Sequence, residues 1–492
     1  MKHLPFFFVV SLFFSCSASR NYNPNKKYSA AELQQDYLLL RNILEEKHPS
    51  LYWYTPKEKM DYLFDAGYKA IVDSMTELQF GWNILAPVTS AIRCGHTSFS
   101  MSKGWSKFIK NKNIPSFPLY LKVWKDSMMV VARLNKADSL IKRGSFITAI
   151  NGIQNRDMIS RMFSYLPADG FATNVNYIRL SMNFPYFHRN IFGLYKNYYV
   201  NYSDSNGIKK EVLIPYYAPT SDSLNKEKSK RKVKKRVSHR ERMKRMRSLE
   251  FDSSFALMTI NDFSKGHLSS FFKRSFRDLR KNGTRNLVID LRFNGGGDIN
   301  KSVLLTKFLI DTPFKVADSA YSVSKNFRPF TGHISSAFLN NIGLLFVTHK
   351  EKDNKYHFGY WERHVFKPKR KNHFKGNVYV LVNGLTFSAS TLFCNAVKGQ
   401  ENILLAGEET GGGWYGNSGI LIPHITLPNT KLKVRLPFFR LVQYQHIPVK
   451  GTGVIPDVYI GPNWRDILNG VDTKIETIKR MIRGKSDTTV YR

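Results

Sequence analysis

Two strand–turn–helix units limit what this chain can fold into. The apolar run Arg285-Asn-Leu-Val-Ile-Asp-Leu-Arg292 reads as a buried strand, passes through Phe293-Asn294-Gly295-Gly296-Gly297-Asp298, and enters a helix-like stretch over residues 299–309. The second unit runs from Asn377-Val-Tyr-Val-Leu-Val-Asn383 through Thr386-Phe387-Ser388-Ala389-Ser390 into the helix-like run 391–397. A further apolar run, Ile403-Leu-Leu-Ala406, precedes Gly407-Glu408-Glu409-Thr410-Gly411-Gly412-Gly413. From Phe251 onward strand and helix patterns alternate, which predicts an α/β core with these turns at neighbouring strand ends.

The turns offer chemistry. A serine between a strand and a helix has its hydroxyl at an exposed corner and its backbone amides at the positive end of a helix dipole. That suits a nucleophile beside oxyanion donors. It also suits a plain helix N-cap, for which serine is a preferred residue. The three glycines after Asn294 allow close backbone approach and present N–H groups to developing negative charge. A phosphate-cradling loop is the rival, but the chain lacks the Gly-Lys-Ser/Thr ending of a P-loop here and the full Gly-x-Gly-x-x-Gly fingerprint.

Four segments in this order resemble the serine peptidase family that groups the C-terminal processing proteases with the tricorn core protease. They are Asp290-Leu-Arg-Phe-Asn-Gly-Gly-Gly297, Thr386-Phe-Ser-Ala-Ser390, Gly407-Glu408 and Gly453-Val-Ile-Pro-Asp457. The resemblance spans roughly residues 250–465. It implies Ser388 as nucleophile and an oxyanion hole from the Ala389 amide with Gly295, Gly296 or Gly297.

The base departs from the processing proteases. Their catalytic lysine, laid on this chain, falls on Gly413, and no lysine lies in residues 407–416. The tricorn-like branch takes its base from an upstream histidine, and Arg93-Cys94-Gly95-His96-Thr97 resembles that segment. His96 is therefore the expected base, since an imidazole accepts a serine proton near neutral pH. A loop or core histidine making one hydrogen bond is the bland alternative. The tricorn core has a serine before its histidine, where this chain has Gly95. It has a glutamate near the place of Lys450. Asp457, Glu408 or a backbone carbonyl is left to orient His96.

The 492-residue chain is long enough for two to four domains and, at 42% hydrophobic residues, for sizeable cores. Its net charge of +38 favours anionic partners, yet no nucleic-acid-binding module accompanies it, so no specific nucleic acid is expected. No zinc-spaced Cys/His cluster occurs, so neither metal nor cofactor is expected. Lys2 and His3 precede an apolar segment over residues 5–14, then Ser15-Cys16. This reads as an export signal, and its end resembles a bacterial lipoprotein signal with Cys16 as the lipidated residue. The expected location is the periplasm or outer-membrane face, with a possible lipid anchor as membrane partner. Beyond Cys16 only Cys94 and Cys394 remain, and two free buried thiols are expected.

The expected organisation is a multidomain α/β protein. Residues 1–16 are the signal, 17–28 a tether, and 29–112 an N-terminal helical region carrying the His96 loop, with Ser29 as N-cap of its first helix. Residues 113–217 form a PDZ-like α+β domain, because the segment ending in Ile150-Asn151-Gly152 resembles that domain's core. Residues 218–250 are a basic linker or insert: residues 226–247 hold 13 Lys/Arg against 2 Glu. Residues 251–466 form the catalytic domain of ClpP/crotonase-like processing-protease type, and 467–492 a C-terminal tail. The expected function is an exported serine peptidase acting on peptide or protein substrates through an acyl-enzyme. The alternatives are a peptide-binding lipoprotein that has lost catalysis on the same scaffold, and a basic surface adhesin for nucleic acid or anionic glycan.

Overall fold

A computed structural model describes residues 22–110, 112, 114–135, 140–219, 238–444 and 451–484. The expected export segment, Cys16, the basic run before residue 238 and Lys450 lie outside the described residues.

The N-terminal region is helical, as expected. Helix α1 (Ala30–Lys47) starts at a capping box: the Ser29 hydroxyl accepts the Glu32 N–H, and the Glu32 carboxylate accepts the Ser29 N–H. Leu33, Tyr37, Leu40 and Leu44 recur at helical spacing and are buried. Helix α2 (Lys57–Lys69) follows, then a π-helical segment, Phe80–Leu85, that continues into the short helix Ala86–Ala91 just before His96.

The middle region is an antiparallel sheet. Its strands are β1 (Leu119–Trp124), β2 (Ser127–Arg133), β3 (Phe146–Ile150), β4 (Asn197–Ser203) and β5 (Lys209–Pro215), hydrogen-bonded in that order. Helices α3 (Asn155–Phe163) and α4 (Asn174–Phe192) accompany it. Asn151 and Gly152 both have positive φ, and Ile150 pairs with Ile153, so Asn-Gly makes the tight hairpin its residues favour. His239–Met246, at the end of the basic run, is a solvent-facing helix with no buried residue.

The last region centres on a six-stranded sheet in the order β6 (Arg247–Phe251), β7 (Ala256–Ile260), β8 (Asn286–Asp290), β9 (Asn377–Val382), β10 (Ile403–Gly407), β11 (Val458–Tyr459). All pairs are parallel except β6 with β7. Leu287, Val288 and Ile289 of β8 and Val380, Leu381 and Val382 of β9 are fully covered, as parallel strands between helices must be. Helix α5 (Leu268–Lys281) connects β7 to β8; α6 (Ile299–Thr306) and α7 (Ala389–Val397) follow β8 and β9. In register, Asp290 at the end of β8 pairs with Leu381, so the glycine loop and the Ser388 turn leave the sheet side by side.

The segment expected as a tail packs against the sheet: helix α8 (Thr473–Ile482) buries Ile478 against Val288, Leu381, Ala406 and Ile460. Asp472 and Lys474 at its start pair with Arg292 and Glu408. The helix covers an apolar sheet face that water would otherwise meet.

Two long-range features fix the His96 segment on this core. Buried residues of α1 and α2 share a single cluster with Ile425, Leu432, Val434, Phe438 and Phe439. Directly after His96, Phe99–Ser100 pairs with Lys433–Arg435, which pairs with His424–Thr426, and the Arg435 N–H donates to Ser98 O at 3.0 Å.

Candidate active site

Ser388 is the residue just before α7, with φ 55° and ψ −121°. That backbone conformation is uncommon for a residue with a side chain and costs on the order of 1–3 kcal/mol. The bland N-cap reading is not what the strain supports, because the Ser388 hydroxyl makes no capping hydrogen bond. The turn is held from outside. Thr386 Oγ1 donates to Leu291 O at 3.0 Å, and the Phe387 N–H donates to Asn294 O at 3.1 Å.

The glycine loop lies against this turn. Gly296, at φ +103°, approaches so closely that a Cβ there would sit 2.7 Å from Ser388 Cβ and 3.0 Å from Ala389 N. Its amide, however, donates to Asn294 Oδ1 at 3.0 Å, so Gly296 shapes the loop and its N–H is not free for an oxyanion. Ala389 is the first residue of α7, and its N–H has no intrahelical acceptor. With the Gly295 and Gly297 amides, it remains available among the expected donors.

His96 is buried and stacks at a tilt on Phe387, ring centroids 4.9 Å apart. Nε2 of His96 and Oγ of Ser388 border one small space above Gly419: a Cβ on Gly419 would lie 3.1 Å from the first and 3.2 Å from the second. No direct hydrogen bond joins them among the described residues, and catalytic hydrogen bonds are often long before substrate binds. Burial first, then the guanidinium groups of Arg435, Arg179 and Arg440, push the His96 imidazole down to about 3, so it is neutral at physiological pH and able to accept a proton.

The expected orienting residues are elsewhere. The Asp457 carboxylate takes the Leu405 N–H at 2.8 Å and the Lys398 ammonium. Glu408 pairs with Lys474 at 2.8 Å. Both sit where sheet strands meet their covering helices, which is why each finds a structural cation. Gly413, where the lysine of the processing proteases would fall, instead donates its N–H to Asp169 Oδ2 at 3.3 Å. Gly95, in place of the tricorn serine, faces Phe387: a Cβ there would sit 2.4 Å from its ring. The Gly95 N–H donates to Asp169 Oδ1 at 2.7 Å.

Sequence reading missed Asp169, Gly419 and the three arginines. Only the turn chemistry of Pro167-Ala168-Asp169-Gly170 marked the first. Cys94 and Cys394 are free and buried, as expected. Cys94 Sγ, one ring nitrogen of His96 and a carboxylate oxygen of Asp169 lie within 4.8 Å of one another, a trio able in principle to ligate a metal. The cationic side chains of Arg179, Arg435 and Arg440 around it oppose a cation there. Beside Gly95 opens a cavity of about 550 Å³ walled by Trp82, Phe99, Trp105, Tyr186, Arg179 and Arg435.

Comparison with known proteins bears on the fold. Residues 254–460 match the family model of peptidase family S41. The structure of mature CPAF complexed with lactacystin superposes with a TM-score of 0.61 at 14% identity, over 92% of this chain and 98% of that one. Mature CPAF gives 0.61 at 14%, over 94% and 99%. These likenesses show a shared fold. No curated protein sequence matches the chain significantly.

Proposed function

Residues 254–460 make this chain a member of peptidase family S41, a serine peptidase family, and on that premise we propose that it hydrolyses peptide bonds with Ser388 as nucleophile and His96 as base. One observation supports this above the others: a strained, uncapped Ser388 whose hydroxyl shares a small space with Nε2 of a buried, neutral histidine. In this reading Ser388 Oγ attacks the substrate carbonyl while its proton passes to His96 Nε2. The Ala389 amide and a Gly295 or Gly297 amide hold the oxyanion, and His96 returns the proton to the leaving amine. Water then hydrolyses the acyl-enzyme by the same proton path. The catalytically lost binder is the weaker reading, because backbone strain at Ser388 serves no purpose in a mere peptide clamp.

A fluorophosphonate probe tests the proposal. Wild type labels; Ser388→Ala does not; His96→Ala labels roughly 10²–10⁴-fold more slowly. Labelling that survives His96→Ala would remove His96 as base, and a wild type inert to the probe and to peptide libraries would favour the binder. Run on cell fractions, the same labelling also tests export: the reading of residues 1–16 expects a membrane-bound band that Cys16→Ser releases.

A further inference from the structure

The mechanism above leaves one nitrogen of its base unexplained. Nδ1 of His96 is buried and has no hydrogen-bond partner among the described residues. The ring also faces Arg435, Arg179 and Arg440, which oppose the positive charge His96 must take when it receives the serine proton. A base so placed forms its imidazolium only if an anion lies close by.

Asp169 is the carboxylate at hand. It is 2% exposed, and one of its oxygens lies within 4.8 Å of a ring nitrogen of His96. Its two oxygens are pinned by the Gly95 N–H, from the residue preceding the base, and by the Gly413 N–H, from the loop after β10. These bonds, with Arg440 and Arg179, oppose the burial that pushes its carboxyl up to about 6, so Asp169 is an anion at neutral pH. Cys94 Sγ shares the neighbourhood, but burial pushes its thiol up and keeps it a neutral, weak donor. Tyr54, whose hydroxyl lies near Arg440 and Asp169, stays a neutral phenol for the same reason.

We propose that Asp169 is the positioning residue of the base: its carboxylate receives the His96 Nδ1–H, holds the ring in the tautomer that leaves Nε2 free for the Ser388 proton, and balances the imidazolium that follows. The inference rests on the Ser388–His96 reading above. The serine proton moves to Nε2, Nδ1 keeps its own, and Asp169 remains ionised throughout. A His96 ring nitrogen and an Asp169 oxygen lie within 4.8 Å without a hydrogen bond between Nδ1 and the carboxylate, and catalytic hydrogen bonds often tighten only when substrate binds.

The test compares wild type, Asp169→Asn and Cys94→Ala by fluorophosphonate labelling rate against pH, with thermal melts to show that each variant is folded. Asp169→Asn keeps size and an acceptor oxygen for Gly95. It is expected to label about 10²–10⁴-fold more slowly at neutral pH, and its acid limb is expected to fall by at least one pH unit from a wild-type limb near 6. Cys94→Ala is expected to leave both unchanged. A second readout needs no turnover: in a Ser388→Ala background, ¹⁵N-histidine NMR should show a His96 Nδ1–H whose signal and titration change in Asp169→Asn. Labelling within about threefold of wild type, an unmoved acid limb or an unchanged His96 spectrum would overturn the proposal. If wild type never labels but the spectrum responds to Asp169→Asn, the peptidase reading fails while the Asp169–His96 pair stands.

Discussion

At the residue scale, Ser388, His96 and Asp169 were unequally legible. Ser388 stood out because a strand, a tight turn and a helix in sequence leave few places for the intervening hydroxyl, and its positive φ fits a site held under strain. His96 was singled out by motif alone, since nothing else distinguishes it among thirteen histidines. Asp169 carries no local mark beyond its turn residues, because its surroundings arrive from residues 74 and 244 positions away. Gly419 gives a sharp check. Its φ is not in the left-handed region, so alanine is tolerated by the backbone, yet a Cβ there would crowd Asn417 Oδ1, His96 Nε2 and Ser388 Oγ at 2.9–3.2 Å. Gly419→Ala should slow probe labelling about tenfold or more with an unchanged melting temperature, because small displacements of reacting groups are costly. Unchanged labelling would mean that this space is not where the chemistry happens.

At the element scale, α1, the continuous apolar runs of β8 and β9, and the Asn151-Gly152 hairpin followed from local patterns and were readable. Helix α8 was not, because a single deeply buried residue, Ile478, is too sparse a pattern to distinguish a docked helix from a solvated one. Docking is nonetheless specific: Arg292, just past β8, bridges Asp290 and Asp472, at 2.7 Å each. Ile478→Ala should therefore cost about 2–4 kcal/mol locally. Hydrogen exchange is the measurement, with amides of residues 473–482 expected to lose protection before those of β8 and β9. Equal protection in variant and wild type would show that α8 contributes little to the sheet.

At the scale of the whole molecule, buried titratable groups set how stability responds to acid. Burial pushes His48, His96 and His188 down to about 3. Their unfolded counterparts bind protons below about 6.5, so their stabilisation is complete above that pH and is lost as pH falls toward 3. Asp169 acts oppositely: with its folded value raised to about 6, it favours the folded state as pH falls from 6 toward 3.8. Three histidines against one aspartate leave a net loss of at most about 2.7 kcal/mol per pH unit across that interval. Urea denaturation at pH 7.5, 6.0 and 4.5 should show stability falling steadily; a flat or rising trend would contradict it. The high net charge adds self-repulsion but says nothing of fold. The sequence by itself determined the α/β core and marked Ser388 at a strand–turn–helix corner, because apolar periodicity and turn residues act over a few positions. Only the tertiary structure decided what surrounds His96. It packed the N-terminal helices into one cluster with residues 425–439, laid Phe99–Ser100 beside Lys433–Arg435, and brought Asp169 and three arginines to His96. Burial and long-range packing set those charges and contacts, and neither is written in any local pattern.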